Sequence, residues 1–222
     1  MQTPLILVNF KNYKESCADS GVRLAEVCDS VSKESGVNII VAPQYTDLKG
    51  IKSTVKIPVF AQHIDPIEKG GAYTGHIVAE NLEGCVSGSL INHSERKLNL
   101  EDIEKCVKIL KGLSLVSVCC AASVDEAEKI AKFDPDFIAI EPPELIGSGV
   151  SVTTRPEIVI SCVEVVKKVN PNVKVLCGAG ITTGQDVKKA LDLGAHGVLV
   201  ASGVVKAQNP KKVLEEFVKS IK

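Results

Sequence analysis

Eight short apolar runs, each followed by a polar or amphipathic stretch, restrict this chain to very few folds. The runs are "LILVNF", "VNIIVA", "IPVFAQ", "VSGSLINH", "LSLVSVCC", "FIAIE", "VKVLCG" and "GVLVAS". Several are rich in Val and Ile, and most lack the apolar–polar alternation of a strand with one wet face. They therefore read as strands buried on both faces of a parallel sheet. They start roughly every 27 residues, a spacing suited to repeated βα units. Helical patterns lie between them: "SGVRLAEVCDSVSKES", "NLEDIEKCVKILKG", "SVDEAEKIAKF", "PEIVISCVEVVKKVN" and "TGQDVKKALDLG". Asn99 before an acidic turn and Ser123 three residues ahead of Glu126 read as helix starts, and Gly112 and Gly194 as helix ends. The stretches after "VNIIVA" and "IPVFAQ" carry weaker helical signals. With no linker or shift of composition, eight such units predict one closed α/β barrel of the (β/α)8 type, a single domain over residues 1–222. An open doubly wound sheet usually needs fewer strands, and no G-x-G-x-x-G follows the first strand here.

The balance of charge narrows the partners. Across 222 residues the formal net charge is −1, and arginine occurs only at Arg23, Arg96 and Arg155. No basic run interleaves with aromatics, so neither nucleic acid nor an anionic membrane surface is expected. The opening "MQTPLILVNF" lacks a basic leader, and its apolar run is too short for a signal peptide or a membrane span. Eight cysteines without an export signal read as thiols in a reducing cytosol, which makes the expected location cytoplasmic. They contain no C-x-x-C pair, so no zinc site is expected.

Barrel enzymes work at the carboxyl ends of their strands. Strand one ends in Asn9, Phe10 and Lys11; strand three in Gln62 and His63, with Asp65 just beyond. Strand four ends in "NHSE", Asn92 to Glu95, and strand six in Glu141. "GAGI" (Gly178 to Ile181) and "ASG" (Ala201 to Gly203) follow strands seven and eight, where small residues let backbone N–H groups approach a phosphate. The "SER" after His93 can begin a short helix, whose N-terminus would keep the imidazole neutral. A lysine, a histidine and a glutamate converging on one barrel mouth point to chemistry rather than to three solvated surface charges.

Several of these stretches, in this order, resemble the triosephosphate isomerase family, in particular its shorter archaeal type. They are "NFKNY", "GAYTGHI", "INHSERK", "IEPPELIGSG", "CGAGI" and "VLVASGVV". The resemblance spans essentially the whole chain. It implies a TIM barrel that interconverts dihydroxyacetone phosphate and D-glyceraldehyde 3-phosphate through an enediolate, in glycolysis and gluconeogenesis, with no cofactor and no metal. It makes Glu141 the base and His93 the neutral electrophile, with Asn9 and Lys11 orienting and stabilising the substrate oxygens and Phe10 beside them. Ile146 and Gly147 match the lid that closes on the phosphate; Gly180, Ala201 and Ser202 match its other backbone contacts. Glu95 resembles a supporting acid. Thr74 matches a loop tip inserted into a neighbouring subunit, with a homotetramer expected and a dimer as the alternative. A Glu base paired with a neutral His under a water-excluding loop is this family's known chemistry. Two departures stand out. The chain is shorter than the roughly 250 residues usual for the barrel, and Glu144 occupies a lid position where bacterial and eukaryotic members usually carry Trp.

Two other functions fit parts of the sequence. "QHID" places His63 and Asp65 at a ligand-like spacing, and His93 could join them in a metal-dependent sugar-phosphate epimerase. That reading leaves "HSER" and the Glu-Pro lid without a purpose. A non-catalytic phosphate-binding barrel would keep the glycine turns but has no need of Lys11, His93 and Glu141 together. A Schiff-base aldolase wants a lysine at a strand end such as six, where this chain has Glu141.

Overall fold

The computed structural model describes all 222 residues, Met1–Lys222. Eight parallel strands form one sheet: β1 Leu5–Asn9, β2 Asn38–Ala42, β3 Phe60–Ala61, β4 Gly88–Ile91, β5 Val116–Ala121, β6 Phe137–Ile140, β7 Lys174–Cys177 and β8 Gly197–Val200. Their order is β2-β1-β8-β7-β6-β5-β4-β3. The two ends of that order meet through a single parallel bridge, Val41 with Val59, where the Val41 N–H donates to Pro58 O at 3.1 Å. The sheet is therefore a (β/α)8 barrel that closes between β2 and β3.

Helices α1 Ala18–Ser35, α2 Leu48–Thr54, α3 Leu100–Gly112, α4 Val124–Ala131, α5 Pro156–Val169, α6 Gly184–Asp192, α7 Ser202–Val205 and α8 Pro210–Ile221 cover the outside. The shortness of the chain is absorbed in three places. The α2 helix has seven residues, α4 has eight, and no α-helix follows β3, where a 3-10 turn at Ala79–Leu82 stands instead. Two helix starts follow the sequence reading: Asn99 Oδ1 accepts from Asp102 N–H at 2.9 Å, and Ser123 Oγ from Glu126 N–H at 3.2 Å. Gly194 follows α6 with φ 94°, as a left-handed stop should. Gly112 does not act as one. It is the last residue of α3, and Ser114 takes the left-handed turn at φ 56°.

Buried strands sort their side chains with a two-residue period. Leu5, Leu7, Ile40, Phe60, Leu90, Val118, Phe137, Ala139, Leu176 and Leu199 belong to an inner cluster of 12 buried residues, drawn from all eight strands, that fills the barrel. Their neighbours, such as Ile6, Val8, Ile39 and Val41, belong instead to the cluster shared with the helices, which includes Leu24, Cys28 and Phe217. No helix is long and apolar enough to cross a membrane. All eight cysteines are unpaired, and six are fully buried among apolar neighbours.

Gly88 opens β4 where a Cβ would lie 2.4 Å from Val116 O and 2.8 Å from the Phe60 ring. Gly88→Ala should therefore cost about 3 kcal/mol through overpacking, read as a lower urea midpoint. Gly50, in α2 with open space around it, is the control: Gly50→Ala should gain about 0.5 kcal/mol.

Candidate active site

The same two-residue period builds the site. One step beyond the last apolar inward positions of β1, β3 and β6 come Asn9, Gln62 and Glu141, at the barrel mouth. Glu141 is 8% exposed and its N–H donates to Ala121 O at 2.8 Å, so the residue is fixed by the sheet itself. At Gly178 a Cβ would lie 3.0 Å from Glu141 Cγ, which makes that glycine part of the carboxylate's clearance. Burial raises the Glu141 pKa above its ordinary value, while the Cys120 thiol and the Lys11 cation pull it back. Its Oε2 is buried without a hydrogen-bond partner.

His93 stands one residue beyond Asn92, a buried residue at φ 61°. Asn92 Nδ2 donates to Cys120 O and to Glu126 Oε1, each at 2.9 Å, and its Oδ1 accepts from Leu98 N–H at 2.9 Å. Glu126 also accepts from Ala122 N–H and pairs with Lys97. These bonds pin both ends of the 92–98 loop. The expected helix after His93 is absent; Arg96 N–H to His93 O, 2.8 Å, closes one turn. The imidazole is neutral for another reason: burial first, then the charges of Lys11 and Lys97, lower its pKa to about 4. Glu95 N–H donates to His93 Nδ1 at 3.2 Å, so the neutral ring carries its proton on Nε2. That Nε2 is the other buried side-chain atom without a partner.

Two adjoining depressions share Asn9 and Lys11. The first is walled by Glu141, Ile146, Gly147, Gly180, Ala201 and Ser202, with Lys11 as its only cationic side chain. The second contains His93 and Glu95. Gly180, at φ 74°, lies so close to the lid that a Cβ would meet Val150 O at 2.0 Å. Val152 N–H then donates to Ala179 O at 3.0 Å, tying the far end of the lid to the turn after β7. At the near end, the exposed Glu144 pairs with Arg155 Nη1 at 2.8 Å, a contact that the usual Trp could not make.

Not every expected residue reaches the cavity. The Phe10 side chain is fully buried in the outer cluster and lines neither depression, because the strand period turns it away between Asn9 and Lys11. Thr74 is exposed in a loop outside the mouth. His63 and Asp65 do not form an open ligand set either. Asp65 accepts from Ile77 N–H at 2.6 Å, from Arg96 Nη2 at 2.9 Å and from His63 Nε2 at 3.1 Å. Burial works to raise its carboxyl, but those donors hold it below the ordinary carboxylate range. No three His, Cys, Asp or Glu side chains are grouped as metal ligands would be. Residues the sequence reading passed over include Tyr13 and Thr182, which line the first depression, and Glu126, which braces the His93 loop. Only the strand period, applied to Gln62, offered a signal for any residue beyond those expected.

Comparison with known proteins gives the family. The family model described as "Triosephosphate isomerase" matches residues 4–221. A protein of that name from Methanothermus fervidus is 52% identical over 220 residues, covering 98% of this chain and 99% of the other. Its counterpart from Methanocaldococcus jannaschii is 50% identical, covering 98% and 100%, and that from Methanobrevibacter smithii is 45% identical, covering both chains fully. With that much of its length matched at that identity, the chain belongs to the triosephosphate isomerase family.

Proposed function

We propose that the chain interconverts dihydroxyacetone phosphate and D-glyceraldehyde 3-phosphate through an enediolate, with Glu141, His93 and Lys11 as its catalytic residues. One observation carries the reading. Glu141 Oε2 and His93 Nε2 are the only buried side-chain nitrogen or oxygen atoms in the protein without a hydrogen-bond partner, and orphaned buried polar atoms call for a ligand. One is an acceptor and the other a donor, as proton abstraction beside a carbonyl requires.

Glu141 takes the proton from the carbon next to the carbonyl and returns it to the neighbouring carbon, while the hydroxyl proton of the first carbon passes to the former carbonyl oxygen. The His93 Nε2–H stabilises the oxygen where charge develops, and its depressed pKa means that it does so as a neutral donor. Lys11 supplies the positive charge shared by the substrate oxygens. Asn9 orients them, Glu95 supports the far side, and the backbone at Ile146, Gly147, Gly180, Ala201 and Ser202 receives the phosphate. Closure of the lid excludes water and protects an intermediate that would otherwise eliminate phosphate. The eight unpaired thiols fit a reducing, cytoplasmic location.

Self-association belongs to the same reading. The 70–76 loop is exposed throughout, with Tyr73 at 52%, and is anchored at its base, where Asp65 N–H donates to Ile77 O at 2.8 Å and Ile77 N–H donates to the Asp65 carboxylate at 2.6 Å. Thr74 at the tip would enter a neighbouring copy, in a tetramer or a dimer.

Turnover of glyceraldehyde 3-phosphate, assayed with and without EDTA, tests the function; chelator-sensitive turnover or none would sink it. Glu141→Asp retracts the carboxylate and should lower kcat about 100-fold with KM nearly unchanged. Near-normal kcat would remove Glu141 as the base. The acid limb of kcat/KM should lie above the ordinary carboxylate range, because Glu141 must be ionised and its pKa is raised. His93 adds no limb near neutrality. A carboxyl with a raised folded pKa contributes stability below its unfolded value and loses it as pH rises through the folded value. Glu141→Gln should therefore raise the thermal midpoint at pH 7, with the gain shrinking on acidification. Thr74→Arg should shift sedimentation toward the monomer and lower activity with it.

A further inference from the structure

The segment after β3 was singled out by its sequence, yet the reaction above uses none of it. Gln62 gives it a role. We propose that Gln62 is a positioning residue that holds the Lys11 cation in the barrel mouth; the inference rests on the isomerase reading of that mouth.

Lys11 has φ 51°, in the left-handed region that non-glycine residues rarely adopt. Such a conformation persists only where its surroundings over-determine it. Two side-chain amides grip its backbone. The Asn9 Oδ1 accepts from Lys11 N–H at 3.0 Å, and Gln62 Nε2 donates to Lys11 O at 3.0 Å. The second Nε2 proton goes to Ala42 O, also at 3.0 Å. Both protons of the amide are thus spent on backbone carbonyls, which fixes its orientation and leaves it no freedom to turn. Ala42 O in turn accepts from Phe10 N–H at 3.0 Å. Gln62 therefore joins the ends of β1, β2 and β3 at the seam where the sheet has a single bridge.

The placement follows from the strand period. Phe60 fills the barrel and Gln62, two residues on, reaches the mouth. Lys11 lines both depressions, and its charge acts on His93 and on Glu141 alike. A displacement of the Lys11 backbone would move the one cation common to the two halves of the site. An ordinary seam staple would cost stability without touching Lys11's share of binding, and this separates the two roles.

The test is a double-mutant cycle between Gln62→Met, which keeps length but donates nothing, and Lys11→Met. It is read in kcat/KM and in the affinity for glycerol 3-phosphate, a non-reacting phosphate monoester of the substrate's size. Gln62→Met alone should lower kcat/KM by about 10- to 100-fold and weaken glycerol 3-phosphate binding. In the Lys11→Met background it should change either by no more than about twofold, because interacting residues are non-additive. Losses that add in full, or a Gln62→Met protein with unchanged binding, would overturn the proposal. Should Gln62→Met not fold, Gln62→Glu, of the same shape and without donors when ionised, takes its place in the cycle. Absence of turnover in the parent protein would overturn the isomerase reading alone, since the glycerol 3-phosphate cycle reads Gln62 and Lys11 without catalysis.

Discussion

Every second residue of a strand in a closed barrel points at the axis, and beyond the last apolar layer the axis opens to the mouth. That constraint governs the molecule. The inner cluster from Leu5 to Leu199 spends the period on packing. One step further the same period delivers Asn9, Gln62 and Glu141 to a common level, without any loop having to place them. Glycine at Gly178 completes that level by leaving room for the Glu141 side chain. Rigid strand ends hold catalytic groups more exactly than loops can, because displacing them would break sheet hydrogen bonds.

Electrostatics in the mouth follow from that burial. The same desolvation acts in opposite directions on an acid and a base: it raises Glu141 and lowers His93. Lys11 partly corrects the first and reinforces the second, so one cation keeps the carboxylate usable and the imidazole neutral. A base that is too easily ionised would be weak, and a charged imidazolium would compete for the base's electrons. Burial and Lys11 together separate the two titrations, which is how paired groups acquire distinct roles.

Much of this was legible in the sequence because it is local. Strand runs, the caps at Asn99 and Ser123, and the strand-end positions of Asn9, Lys11, His93 and Glu141 depend on periods and neighbours. What escaped depends on distance. Strand β3 shrinks to two residues because its partner across the seam offers one bridge, which "IPVFAQ" alone does not reveal. The neutral state of His93 was expected from a helix that the loop does not form; its cause is burial and two lysines, one of them 82 positions away in the chain at Lys11. Glu126 braces Asn92 across 34 positions, and no motif links them. Phe10 was carried into the site with its neighbours, although the strand period that exposes Asn9 and Lys11 turns Phe10 toward the helices. The C-terminal helix α8, capped by Asn209 on Lys212 N–H at 3.0 Å, was readable from its own pattern and was passed over.

Strain and unmet bonds are not spread evenly over the barrel. Of the five non-glycine residues with positive φ, Ala18 opens α1, and Ser114 and Asp134 sit in the turns that leave α3 and α4, where a left-handed residue is ordinary. Lys11 and Asn92 are different, since each stands at the carboxyl end of a strand and beside a proposed catalytic group. Both orphaned polar atoms, on Glu141 and His93, lie at that end too. At the amino end the polar groups are matched: Asp136 accepts from the N–H and the hydroxyl of Ser117, whose Oγ accepts in return from Asp136 N–H. A mouth assembled in its working geometry has little left to reorganise when charge develops on a substrate, and that is where preorganised dipoles lower a barrier. The packed, satisfied remainder of the barrel pays for that geometry when the chain folds.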